Sequence, residues 1–271
     1  MGRLSIKTSN SIVSASRGIL RKTIRLAGRG DRYAFKAVAD PYLNFVTEYL
    51  VVTGYHDSDR IRSLTRKIFQ NLWQRIAYTR RVSDLERQLF IFLKQIPVNV
   101  SPFQDLLTQK LVMLNALQRF LLVGRDLENW NSKNLSLASR LPKQDLSQPL
   151  YDAWKILVGF KKADLDFTTN ECMQKVVESM EGGLDAYQQK RLCRKVKENA
   201  TVSAFKADCL NLRCELVELR QNSRWDAKEK KQFFEELLED IALITPAKPD
   251  LVERFQNQLS FQCAPLEVRE G

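Results

Sequence analysis

Between Asp59 and Ile76 the apolar residues Ile61, Leu64, Ile68, Leu72 and Ile76 recur every three or four positions, and Thr65, Phe69 and Trp73 widen the stripe. That period belongs to a helix with one buried face. The opposite face carries Arg60, Arg62, Arg66, Lys67 and Arg75, so it must meet water or a negatively charged surface. Upstream, Tyr42 to Val52 reads as a helix with Asp40 as N-cap and Pro41 at its first position. Asp57, Ser58 or Asp59 can cap the basic helix, Asp59 being the simplest choice. Downstream, Leu85, Leu89, Phe92, Leu93 and Ile96 predict a third helix from about Asp84 to Ile96, which Pro97 ends.

The helical period continues through the rest of the chain. Phe103 to Gly124 presents Leu107, Leu111, Leu114, Leu117, Leu121 and Leu122 on one face. Ser132 can cap a short helix through Arg140, and after a turn at Leu141 to Gln144 a further helix runs from near Ser147, with Pro149 in its first turn, to about Phe160. Two short helices across a tight turn are what a helix-turn-helix requires. Beyond Asp164 come a helix, a Gly182-Gly183 turn, another helix, and a longer one from Ser203 to Leu219. An amphipathic helix from Ala227 to Ile244 presents Phe233, Phe234, Leu237, Leu238 and Ile241, and past Pro246 and Pro249 a last helix lies near Leu251 to Leu259. The prediction is an all-α chain: a basic flexible arm over 1–36, a three-helix bundle over 37–99, a helix-turn-helix domain over 102–162, and a helical C-terminal extension over 164–271.

Charge narrows the partners. The formal net charge of +11 on 271 residues favours a polyanion, whether nucleic acid, an acidic protein surface or anionic lipid. Arg3, Lys7, Arg17, Arg21, Lys22, Arg25, Arg29, Arg32 and Lys36 face only Asp31 in the N-terminal arm. It reads as a flexible arm that condenses on nucleic acid, the alternatives being an organellar transit peptide or a solubilising tail. Cys172, Cys193, Cys209, Cys214 and Cys263 are odd in number and form no C-x-x-C pair, which suits reduced thiols in a cytoplasmic protein. With His56 as the single histidine, neither a metal site nor a His-based triad can be assembled, and no cofactor is expected. No apolar run reaches the length of about 18 residues that suggests a membrane span. No nucleophile with a base, paired carboxylates or P-loop is evident, so an enzyme is not expected.

Two stretches carry a family likeness. IRSLTRKIFQNLWQRI resembles the core helix of the second conserved region of bacterial sigma factors of the extracytoplasmic-function type, roughly A-E-D-L-T-Q-E-V-F-L-R-L-W, through Leu64, Thr65, Ile68, Phe69, Leu72 and Trp73. FLKQIPVN is similar to that family's W-L-Y-R-I-A-R-N through Phe92, Leu93, Ile96 and Asn99. KLVMLNALQRFLLVGRDLENWNSKNLSLASRL resembles the fourth sigma region, L-x-x-L-P-x-x-Q-R-x-V followed by S-x-x-E-I-A-x-x-L, through Leu114, Leu117, Gln118, Arg119, Ser132, Leu137, Ala138 and Leu141. Leu146, Leu150, Ala153 and Leu157 follow the spacing of the family's next helix. VVESMEGGLDAYQQKRLCRKV weakly resembles the opening of metal-free anti-sigma domains.

The resemblance implies two separate helical lobes and a transcription initiation or regulatory protein. It implies binding to the β′ clamp of core RNA polymerase through Arg62, Ser63, Arg66, Lys67 and Gln70. Promoter DNA would be met by Phe92, Lys94, Gln95, Asn99, Lys143, Gln144, Ser147, Gln148, Tyr151 and Lys155, with the extension making intramolecular contact. The surface departs from the pattern. Arg62, Ser63, Arg66 and Lys67 stand where the family has acidic or amide groups, and such a reversal turns interface attraction into repulsion. Ser147, Gln148, Pro149, Tyr151, Asp152 and Trp154 replace the Arg and Lys of the recognition helix. These departures motivate a second reading, a sigma-like interaction or regulatory protein without promoter recognition; a general basic nucleic-acid-binding protein is the third.

Overall fold

Of the ten positions in the helix Leu43–Val52, only Asn44 escapes burial. A helix that is apolar on nearly every side belongs in the interior, and in the computed structural model of the protein it is packed by helices that follow it in the chain, the long helix Ala200–Ser223 among them. The structure describes residues 20–100, 105–160, 166–180 and 182–246. In chain order the helices are α1 (residues 20–27), α2 (Arg32–Ala39), α3 (Leu43–Val52), α4 (Ser58–Arg75), α5 (Val82–Lys94), α6 (Leu106–Val112) and α7 (Ala116–Leu122). A π-helical turn, Val123–Leu127, leads to α8 (Ser132–Ser139), α9 (Ser147–Val158), α10 (Phe167–Met180), α11 (Ala186–Glu198), α12 (Ala200–Ser223) and α13 (Ala227–Ala242). The chain is all-α: every regular element among the described residues is a helix. None of the described helices is long and apolar enough to cross a membrane.

Local chemistry moves several boundaries. Asp57, not Asp59, caps α4, its carboxylate accepting from the Arg60 N–H at 2.7 Å. Asp40 caps nothing with its side chain; with Pro41 it opens a 3-10 turn before α3. The stretch from Phe103 to Gly124, read as one helix, is cut at Asn115. There the Asn115 side-chain Oδ1 accepts from Gln118 N–H and the Gln118 side chain accepts from Asn115 N–H, each at 2.9 Å, a capping box that starts α7. Asn131 rather than Ser132 caps α8. α9 starts at Ser147, where Pro149 in the first turn requires it. It ends at Gly159, whose φ of +79° is cheap only for glycine. Residues 1–19, the helix near Leu251 to Leu259, and Cys263 lie outside the described residues.

The core is continuous where separate lobes were expected. Phe45 of α3 stacks on Trp130 at 4.4 Å and meets Phe120 of α7 edge-on at 5.3 Å. Phe90 of α5 approaches Phe120 at 4.4 Å, and α5 packs along α8. These contacts cross the boundary drawn between 37–99 and 102–162, and one apolar cluster runs from Ile24 to Ile241. The correction has a plain cause: α3 is apolar on several faces, so it needs partners from both segments. The arm also ends earlier than the charge suggested, because Ile24, Ala27, Ala34 and Phe35 are buried. From the extension, α10 and α12 pack on α9, α12 also on α3, and α13 on α2 and α4.

Candidate functional site

Arg62, Arg66 and Gln70 lie four residues apart on α4 and therefore share one face. α13 lies across that face. Its first turn is fixed by a capping box between Asp226 and Glu229, and its stripe Phe233, Phe234, Leu237 and Ile241 is buried against α2 and α4. Phe233 meets Phe69 at 6.1 Å and Trp225 at 5.0 Å, and the Trp73 indole donates to the Ile244 carbonyl at 2.7 Å. On the rim, Glu236 pairs with Arg62 at 3.4 Å and with Arg66, while Asp240 reaches Arg66 at 3.4 Å and accepts from the Gln70 amide at 3.0 Å. Side chains about a third exposed, as these are, gain at most about 1 kcal/mol per pair. A buried Phe or Leu side chain contributes about 1.5–3 kcal/mol. The aromatic stripe holds α13 down; the charges set where it sits.

Of the expected polymerase-binding residues, Arg62, Arg66 and Gln70 are thus brought together beneath α13. Ser63 and Lys67 stay exposed on the adjoining flank.

The expected DNA-binding residues do not form one surface. Phe92 is buried on α5, with the Arg75 guanidinium 5.8 Å over its ring, and Tyr151 is fully buried, its hydroxyl donating to Asn170 at 2.6 Å. Neither side chain is presented to a duplex in this conformation, which corrects the expectation for both. For Tyr151 the cause is the placement of α9, which packs on α6, α7, α10 and α12; Phe92 belongs to the buried face of α5 with Leu85, Leu89 and Leu93. Burial, and after it Asp152, pushes the Tyr151 phenol up to about 12. Lys155 pairs with Asp152 at 3.2 Å and covers the Tyr151 ring. Gln148 donates to Asp152, and Ser147 accepts from Gln174 at 3.5 Å. Asn99 ties the chain back to the end of α3, its amide donating to the Gly54 carbonyl at 2.9 Å. Lys94 and Gln95 are exposed at the end of α5, and Lys143 and Gln144 on the 3-10 turn Lys143–Asp145 that follows α8.

A second set of charges joins the extension to the centre. The Glu48 carboxylate on α3 accepts from Arg224, just past the end of α12, at 3.1 Å and lies 3.6 Å from Arg220 of α12; Glu128 takes the same two arginines at 2.6 and 3.5 Å. Burial pushes the Glu48 carboxyl up to about 8, helped by Glu128 and opposed by Arg224 and Arg220. In the π-helical turn, burial likewise raises the Asp126 carboxyl to about 6 against the pull of Arg213 and Arg125. Asp126 lines a polar cavity of about 400 Å³ with Arg125, Asn129, Trp130, Ser132 and Arg213. Sequence reading passed over both acids; for Glu48 the signal is a lone charge inside the apolar run YLNFVTEYLVV. Among the described residues no group of three His, Cys, Asp or Glu side chains could hold a metal ion. Compared with protein-family models, curated proteins and solved structures, the chain matches none of them, so its own geometry carries the functional reading.

Proposed function

We propose that the chain is a regulatory protein that carries sigma-like sequence stretches on one continuous helical core and is held in a closed form by its own C-terminal extension. The reading is supported by the resemblance of residues 37–162 to the second and fourth sigma regions. The observation that carries it is the pairing of Glu236 and Asp240 with Arg62, Arg66 and Gln70. Where the family has acids or amides facing a polymerase, this chain has cations facing acids of its own α13. The charge departure then has a physical use: it adapts the α4 face to an internal occupant and lowers its affinity for an external basic one. With α13 in place, the face that would meet core RNA polymerase is covered. With α9 packed inside, promoter contact requires the extension to move.

The test uses the full chain and a Glu236→Arg, Asp240→Arg variant, checked for native helicity by circular dichroism. Each is mixed at low salt with core RNA polymerase and captured. The variant replaces attraction by repulsion along the α13 rim and, with Phe233→Ala added to loosen the buried stripe that holds α13 down, captures several-fold more polymerase than the wild type. No association of either protein at low salt removes the sigma-like reading; equal and strong association of both removes self-inhibition.

A further inference from the structure

We infer that α11 is a nucleic-acid-binding element that grips the phosphate backbone without reading sequence. This surface is separate from the α4 face and does not depend on the reading given to it. The capping box between Asp185 and Gln188 fixes the start of the helix, and Leu192 and Val196 bury its inner side against α10 and α12. With about 100° between successive residues, Tyr187, Lys190, Arg191, Arg194 and Lys197 then fall within roughly a third of the circumference, opposite the buried pair. All five are exposed. Among the described residues, Lys190, Arg191, Arg194 and Lys197 enter no ion pair or side-chain hydrogen bond. The nearby acids are few. Glu198 lies within the angular range of the stripe at its C-terminal end, and Glu171 of α10 is held below the usual carboxylate range first by Lys175 and only after it by Lys195 and Arg191.

A row of cations left without an ion pair or side-chain hydrogen bond among the described residues, on an ordered helix, is matched to a polyanion whose charges are also in rows. From Lys190 to Lys197 the helix rises about 10 Å, and a duplex presents on the order of six phosphate charges over that length. The chain's net charge of +11 brings such a partner in from a distance. An anionic membrane fits less well. A helix lying in a lipid interface inserts an apolar face, whereas the apolar side of α11 is spent inside the protein and only Tyr187 among the large apolar groups of the helix is exposed. Tyr187, 75 % exposed, is placed at the entry end of the row, where a ring can pack on a sugar or an unpaired base.

The experiment measures fluorescence anisotropy of a labelled random-sequence DNA duplex against salt, using the full chain. One variant carries Lys190→Ala, Arg191→Ala and Arg194→Ala. A second, of equal charge loss, carries Lys228→Ala, Lys230→Ala and Lys231→Ala on α13. The α11 variant loses at least tenfold in affinity at low salt, and the slope of log K against log salt becomes shallower by about 2–3, since each lost phosphate contact removes about 0.9. The α13 variant stays within about threefold of wild type. Wild-type affinity and slope in the α11 variant would overturn the assignment, as would an equal loss in both variants, which is a general charge effect. Binding to phosphatidylserine vesicles that needs the same three residues, without duplex binding, would overturn it in favour of a lipid surface.

Discussion

Phe45→Ala tests whether the front of the chain folds as one unit. The ring is fully buried, stacked on Trp130 at 4.4 Å and edge-on to Phe120 at 5.3 Å. Trp130 and Phe120 belong to the segment expected to form its own lobe, so truncation empties the joint between the two. A Phe→Ala change in a packed core costs about 3–5 kcal/mol, and the loss of two aromatic pairs, each about 0.5–1.5 kcal/mol, puts this site at the upper end. For a chain of this size that lowers Tm by roughly 10–15 °C. Urea unfolding is followed by tryptophan fluorescence, which reports on Trp73, Trp130, Trp154 and Trp225 together, and in parallel by far-ultraviolet circular dichroism. Wild type shows one transition by both probes, and the variant shows one transition at lower urea. Phe45→Leu, which keeps most of the volume, costs only about 1–2 kcal/mol and guards against a variant that does not fold. Two separated transitions in the wild type, or a Phe45→Ala cost below about 1 kcal/mol, would refute the continuous core.

Two further outcomes follow from single side chains. Asp126, raised by burial from 3.8 to about 6, keeps its proton in the folded chain where the unfolded chain has lost it, so its contribution to stability is complete below about pH 4 and is lost as pH rises through about 6. The stability of Asp126→Asn relative to wild type therefore rises by about 3 kcal/mol between about pH 4 and pH 7, and parallel pH profiles in chemical unfolding would contradict this. At Gly124 a Cβ would stand 2.7 Å from Leu135 Cδ2 and 3.4 Å from Phe45 Cε2. Gly124→Ala is expected to lower stability by about 1–3 kcal/mol, against the gain an alanine normally brings to a helix; a stabilised variant in thermal melts would show that the contact is loose.

What the sequence disclosed and what it hid divide along physical lines. The stripes of α4 and α13 and the start of α9 were legible because amphipathic period and proline chemistry are local. The break at Asn115 was masked by a leucine period that runs through it, although Asn115 and Gln118 carry the capping signal. The joint of Phe45, Phe90, Phe120 and Trp130 was not legible, because its members come from well-separated parts of the chain and meet only through tertiary packing. Phe92 and Tyr151 occupy positions where the resembled family meets DNA, yet each sits at helical spacing among apolar residues, and here that spacing marks core.

The sign of a charge stripe says what kind of surface will cover it, but not whether that surface belongs to another molecule. For α4 the acids come from Glu236 and Asp240, 170 residues along the same chain. Because those ion pairs are about a third exposed and weak, they cannot by themselves keep α13 seated; Phe233, Phe234, Leu237 and Ile241 do that. A competitor for the α4 face must therefore bring apolar anchors for the ground around Phe69 and Trp73 as well as acids for Arg62 and Arg66. A merely acidic ligand would neutralise the rim and leave α13 where it is.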